Sequence, residues 1–392
     1  MHLELTEQQQ ALRDEVRTYF QELLTPEVRA ELSGGGGIGG PMRKVVRQMG
    51  ADGWLGVGWP TEYGGRGLTP AEQFVFFDES MRAGAPVPML TMNTVGPTIM
   101  AFGTQEQKDF FLPRILKGEL HFCIGYSEPD AGTDLAALKT RAVRDGDEYV
   151  INGQKTWTSL ASDADYCWLA ARTDPDAARH RGISMMIVDM KNTPGITVRP
   201  LNLIASHNVT SVFFEDARIP ASSIVGEVNG GWKLITNQLN HERVTLVSSG
   251  SIGRYLLQVR EWAQQTKRPD GTRVIDQEWV RVSLARLHAR LEALRLMNWE
   301  VASAATEGSL QPQDASAMKV FGTEFNLECI RGLMEIVGQT GYLAGDTAGS
   351  ILHGQLEAAA RSMLILTFGG GTNELQRDLI AMFGLGFPRA AR

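Results

Sequence analysis

A change of texture near Glu119 constrains the fold of this chain more than any other feature. Before it, apolar residues recur at helical spacing. From Glu119 to about Gly226 they come instead in short runs separated by turns: HFCIGYSE, EYVING, DYCWLAART, GISMMIVDM, ITVRPL and SVFFEDARIP. These runs are rich in Val, Ile, Tyr, Phe and Trp and are spaced as strands of an antiparallel sheet. Asp145-Gly146 and Asn152-Gly153 read as turn dipeptides. After Gly230-Gly231 the helical period returns. The pattern predicts an N-terminal all-α domain (1–118), a middle antiparallel β domain (119–227) and a C-terminal helical domain (228–392).

The first helix should begin after Thr6, an N-cap residue with Gln9 three positions on, and bury Leu12, Val16 and Phe20. The run Gly34–Gly40, broken only by Ile38, predicts a mobile loop. Helical patterns follow around Met42–Gly50, Pro70–Gly84, Asn93–Phe102 and Gln105–Lys117, with a turn-rich segment at Trp59–Gly67. In the last third they cover Trp232–Leu246, Ile252–Thr266, Asp276–Glu307, Ala315–Val337, Leu352–Thr367 and Glu374–Phe383.

Composition narrows the function. With 392 residues, 43% hydrophobic and 21% charged, the chain can bury a large core. Its net charge of −7 is a poor match for nucleic acid, whose phosphates call for clustered Lys and Arg. The three cysteines form no CxxC and the seven histidines no HExxH, so neither a disulfide framework nor a metal site is expected. No apolar stretch has the length of a transmembrane helix, and none follows the N-terminus as in a signal peptide. A cytoplasmic protein is expected. GxGxxG after an opening strand is missing, so a bound dinucleotide would not sit in a Rossmann site.

GYSEPDAGTD, Gly125–Asp134, resembles the first signature of acyl-CoA dehydrogenases, and NGQKTWTS, Asn152–Ser159, matches the same family. FGGGTNELQRD, Phe368–Asp378, resembles their second signature. WPTEYGG and the run Phe214–Glu227 agree as well, so the resemblance spans the chain in order. More narrowly, the sequence looks like the actinobacterial subunits that shorten steroid side chains in α2β2 assemblies. The resemblance implies an acyl-CoA dehydrogenase-like fold whose C-terminal α domain is of four-helix-bundle type, FAD as cofactor, and dehydrogenation of an acyl-CoA to the trans-2-enoyl-CoA. It places Tyr126 and Ser127 beside the flavin ring, and Gly132 and Thr133 toward the pyrophosphate. Trp157 would stack near the isoalloxazine and Ser159 would bond its N5 side. Thr372 and Glu374 of the second signature would also face the flavin. Small residues and several backbone N–H groups in SEPDAGTD suit such an anion-binding turn.

The chemistry requires a base for the α-proton and donors that polarise the thioester carbonyl. Most of the family carries the glutamate directly before the Gly-Thr of the second signature. Here that position is Gly370, which keeps the N–H donor but has no carboxylate. A minority, the isovaleryl and long-chain types, carries it on another helix before an Arg. In QLNHERV that residue is Glu242, followed by Arg243 as an electrostatic support. Glu374 is the nearest rival. An empty position 370 also suggests a bulky, branched or steroid acyl group.

Family flavin sites are shared between subunits, and the half given to the neighbour looks eroded. In the expected Arg-x-x-Phe-Gly, Lys267 takes the Arg position and Asp270 the Phe position, with Lys267, Arg268 and Arg273 as candidate substitutes. Glu335 stands where a Gln is expected, and its charge would repel a pyrophosphate. The readings are a homotetramer or an α2β2 heterotetramer with a homologous subunit. Electron-transfer flavoprotein is the acceptor implied by the family. A structural subunit of a heteromer and an acyl-CoA oxidase are the alternatives.

Overall fold

The computed structural model describes residues 4–33, 39–205, 209–236, 238, 247–345 and 347–388. Helix α1 (Glu7–Leu23) starts on the predicted capping box, with Thr6 and Gln9 each bonding the other's backbone N–H. It buries Leu12, Val16 and Phe20. Next come α2 (Pro26–Ser33) and α3 (Gly40–Ala51), so Gly40 belongs to a helix rather than to the predicted loop. The rest of that loop, residues 34–38, lies outside the described residues. Helix α4 (Pro70–Ala83) is buried almost continuously from Ala71 to Ser80. It has to be, since it packs on α1 on one side and on the C-terminal helices on the other. Helices α5 (Gly96–Phe102) and α6 (Gln105–Leu116) close the N-terminal part.

The sheet runs β6-β7-β3-β2-β4-β5-β8, with β1 paired to β4. Its strands are β1 (Phe122–Gly125), β2 (Arg141–Asp145), β3 (Glu148–Ser159), β4 (Tyr166–Arg172), β5 (Ile183–Asp189), β6 (Ile196–Pro200), β7 (Val209–Pro220) and β8 (Ile224–Val225). Pairing is antiparallel except that β1 runs parallel to β4 and β2 makes one parallel bridge to it. Alternation on β4 sorts its side chains. Trp168 and Ala170 join the core shared with the N-terminal helices, whereas Cys167, Leu169 and Ala171 join a second core within the β domain. Asp145-Gly146 turns the β2–β3 hairpin, but Asn152-Gly153 does not turn the chain. That pair lies inside β3 at a register shift. Asn152 bonds Asp216 on β7, and any Cβ on Gly153 would come within 2.6 Å of Thr140.

The helical part of the chain resumes at residue 231 (α7, described over 231–236 and at 238). The bundle continues with α8 (Ser249–Gln265), α9 (Glu278–Thr306) and α10 (Pro312–Val337). The predicted helix Leu352–Thr367 is broken. Left-handed His353 and Gly354 interrupt it before α11 (Gln355–Ser362), and 3₁₀ turns follow. Helix α12 (Asn373–Leu379) packs on α10.

Candidate active site

The loop after β1 is held from inside by two buried charges that sequence reasoning missed. Lys155 on β3, fully buried, donates to Glu128 Oε1 at 2.8 Å and to the Tyr126 carbonyl at 3.1 Å. Glu128 also accepts from the N–H groups of Lys139 (2.6 Å) and Thr140 (2.8 Å). Burial pushes the Glu128 carboxyl up, but Lys155 and these donors outweigh it and hold the group below its ordinary range. A single Lys or Glu in a strand or loop looks like surface charge, and only the fold pairs these two.

With Glu128 turned inward, Gly132 and Thr133 are left exposed. A Cβ on Gly132 would meet nothing within 4 Å, so open ground lies beside the loop. The Ser127 carbonyl accepts from Thr156 N–H at 2.9 Å, which seats the loop against β3 next to Trp157. At Trp157 the β3–β7 register shifts again, between Lys155 and Thr158, and its φ is +57°. Bulges re-aim side chains, and a bulky residue with positive φ is costly. The result is a tryptophan 60% exposed on an otherwise well-covered strand, with Ser159 exposed two residues on.

Tyr126 belongs to a buried polar cluster. Its hydroxyl donates to Gln238 Oε1 at 2.5 Å, and Trp168 Nε1 donates to the same oxygen at 3.0 Å. An indole N–H can only donate, so the Gln238 amide has one possible orientation. This ties the first-signature loop to α7. Glu242 and Arg243, further along the same segment, lie outside the described residues.

In the second signature Gly370 and Gly371 are both left-handed, at φ +67° and +98°. Thr372 caps α12, its hydroxyl accepting from Leu375 N–H, and Glu374 is exposed in the first turn. Behind the loop stands a second fully buried lysine, Lys319 of α10, donating at 2.8 Å to the Gly371 carbonyl and at 2.8 Å to Asn373 Oδ1. The two signatures thus rest on different scaffolds, the sheet and α10.

The eroded segment has its own explanation. Arg268 is paired to Asp270 at 2.8 Å, and Arg273 to Asp276 at 2.7 Å, where it starts a short helix. Two of the three candidate substitutes are therefore engaged within their own turn. Glu335 is exposed in the last turn of α10. Among the described residues no cluster of His, Cys, Asp and Glu could hold a metal ion, and no helix is long and apolar enough to cross a membrane.

The chain matches the acyl-CoA dehydrogenase N-terminal domain over residues 6–119, the middle domain over 123–217 and the C-terminal domain over 229–385. It belongs to the acyl-CoA dehydrogenase family: an oxidoreductase on the three-part fold of that family, whose members are FAD-dependent flavoproteins. Among known proteins it is similar to acyl-CoA dehydrogenase FadE26 of Mycobacterium tuberculosis, 55% identical with 100% of each chain covered. Among solved structures it is similar to the ChsE4-ChsE5 complex of Mycobacterium tuberculosis, at TM-score 0.92 and 55% identity, with 100% of both chains covered. It is also similar to the Tcur3481-Tcur3483 steroid ACAD, at TM-score 0.92 and 47% identity, again over 100% of both chains. The residues present suit a flavin: an exposed indole on a bulge, open ground at Gly132, and exposed Thr133 and Ser159 beside them.

Proposed function

We propose that this chain carries the catalytic half of an FAD-dependent acyl-CoA dehydrogenase acting on a bulky, branched or steroid side-chain acyl group. The observation that carries the reading is Trp157, forced out of β3 by a bulge beside the first signature. Bound FAD would supply the hydride acceptor at N5. Tyr126, Ser127, Gly132, Thr133, Trp157 and Ser159 from the sheet side, with Thr372 and Glu374 from α12, would hold it. Glu242 removes the α-proton of the thioester, and Arg243 supports its charge. The Gly370 N–H donates to the thioester carbonyl, and the missing side chain there leaves room for a large acyl group. Similarity to the steroid ACAD supports that substrate class. A domain partition at 118/119 and 227/228 agrees with α6 ending at Leu116, β1 starting at Phe122 and β8 ending at Val225.

The self-paired Arg268 and Arg273, and the acidic Glu335, favour an α2β2 assembly in which a homologous subunit completes the flavin site. Similarity to the ChsE4-ChsE5 complex supports the same arrangement. Electron-transfer flavoprotein would take the electrons. The test is anaerobic flavin bleaching by a panel of short, branched and steroid-type acyl-CoAs, with the chain alone and co-purified with a homologous subunit. Glu242→Gln should slow bleaching about 10²–10⁴-fold while leaving acyl-CoA binding intact. Wild-type rates in that variant would remove Glu242 as the base. Full FAD occupancy in the chain alone would remove the need for a partner. A loaded complex that no acyl-CoA bleaches would make this a structural subunit.

A further inference from the structure

Lys319 is as deeply buried as any residue of α10, although a cationic side chain is expensive to remove from water. It points at the second signature, where it meets the Gly371 carbonyl and Asn373 Oδ1, each at 2.8 Å. An ammonium only donates, so the oxygen of Asn373 must face it. The nitrogen of the same amide donates to Thr323 Oγ1 at 3.0 Å and to Glu324 Oε1 at 3.2 Å. Glu324 is also held by Arg377, and Glu374 points to solvent.

The segment that Lys319 holds has no side chains of its own to define it. Gly370 and Gly371 are consecutive left-handed glycines, a sequence with many alternative backbone states. Fixing the Gly371 carbonyl fixes the peptide plane after it and restrains those before it, including the one that carries the Gly370 N–H. The same contact sets a positive charge directly behind the loop. Preorganised donors and charges of this kind favour charge that develops during reaction.

We propose that Lys319 is a positioning residue: it holds the Gly369–Gly371 loop so that the Gly370 N–H, backed by a buried cation, receives the negative charge of the deprotonated thioester. The proposal rests on the reading of Gly370 as the carbonyl donor.

The probe is a 3-thia-acyl-CoA, whose enolate gives a long-wavelength charge-transfer band on oxidised flavin, titrated against pH in the flavin-loaded complex. Lys319→Gln keeps a donor toward Gly371 and removes the charge. It should raise the pH midpoint of the band by about one unit, a tenfold loss in the deprotonation constant. It should also lower kcat by at least about tenfold with little change in KM. Lys319→Arg should recover part of both. An unchanged midpoint in Lys319→Gln overturns the proposal. Loss of flavin or of folding in Lys319→Gln also overturns it, since the lysine would then be a structural pin only. A wild-type complex that binds the probe but gives no band defeats the underlying Gly370 reading instead.

Discussion

His121 sits just before β1, 1% exposed, and neither ring nitrogen meets a hydrogen-bond partner among the described residues. Burial, reinforced by the Arg43 guanidinium, pushes its pKa down to about 4. The folded protein therefore keeps the ring neutral, while the unfolded chain takes up a proton near pH 6.5. Between those values the unfolded state binds more protons. Stability is complete above about pH 6.5 and falls as pH drops toward 4, by roughly 3 kcal/mol from this residue. Chemical denaturation across that window should show the slope, and His121→Leu should flatten it. Nothing local in ELHFCI marks this histidine, because the groups that act on it, Arg43 and Arg47 of α3 with Asp165 and Lys191, are distant in the sequence. Glu128, Lys155 and Lys319 were hidden for the same reason. Tyr126, Ser127, Trp157 and Gly370 could be named as candidates because they stand in contiguous motifs.

Helix α4 shows what a single element contributes to holding the parts of the chain together. Its Asp78 accepts from Ser248 Oγ at 2.8 Å, Ser249 Oγ at 2.9 Å and Gly250 N–H at 2.8 Å, capping α8 from another domain. The backbones approach so closely that a Cβ on Gly250 would lie 2.0 Å from the Asp78 carbonyl. Asp78→Ala leaves the Gly250 N–H to the N-cap Ser248 Oγ alone, at 3.0 Å, and takes the acceptor from the buried Ser248 and Ser249 hydroxyls, with an expected loss of about 2 kcal/mol. Asp78→Asn should cost less, and urea denaturation of both checks the order. At this scale periodicity and caps read well, as α1 and its Thr6–Gln9 box show. They failed at Asn152-Gly153, where a turn dipeptide serves a bulge, and at Leu352–Thr367, where His353 and Gly354 break an apparently continuous helix.

At the scale of the whole molecule, the described residues form three packed cores. One joins the N-terminal helices to a face of the sheet, one lies within the β domain, and one fills the C-terminal helices. The order of parts followed from periodicity alone. Which cores would be shared did not, because that depends on which face of β4 meets the helices. The three cysteines are distributed over this plan. Cys123 and Cys167 are register partners on β1 and β4, and Cys329 lies in the helical core. All three are fully buried. Contact with Cys167 and burial push the Cys123 thiol well up, and burial pushes Cys329 up to about 12. None should react while its core is closed, since the thiolate is the nucleophile. The chain therefore carries its own clocks for local opening. Alkylation rates at the sheet pair and at Cys329, read separately by mass spectrometry, time the breathing of two regions of one molecule. Equal rates at the two sites would mean that β domain and helical bundle open as one unit.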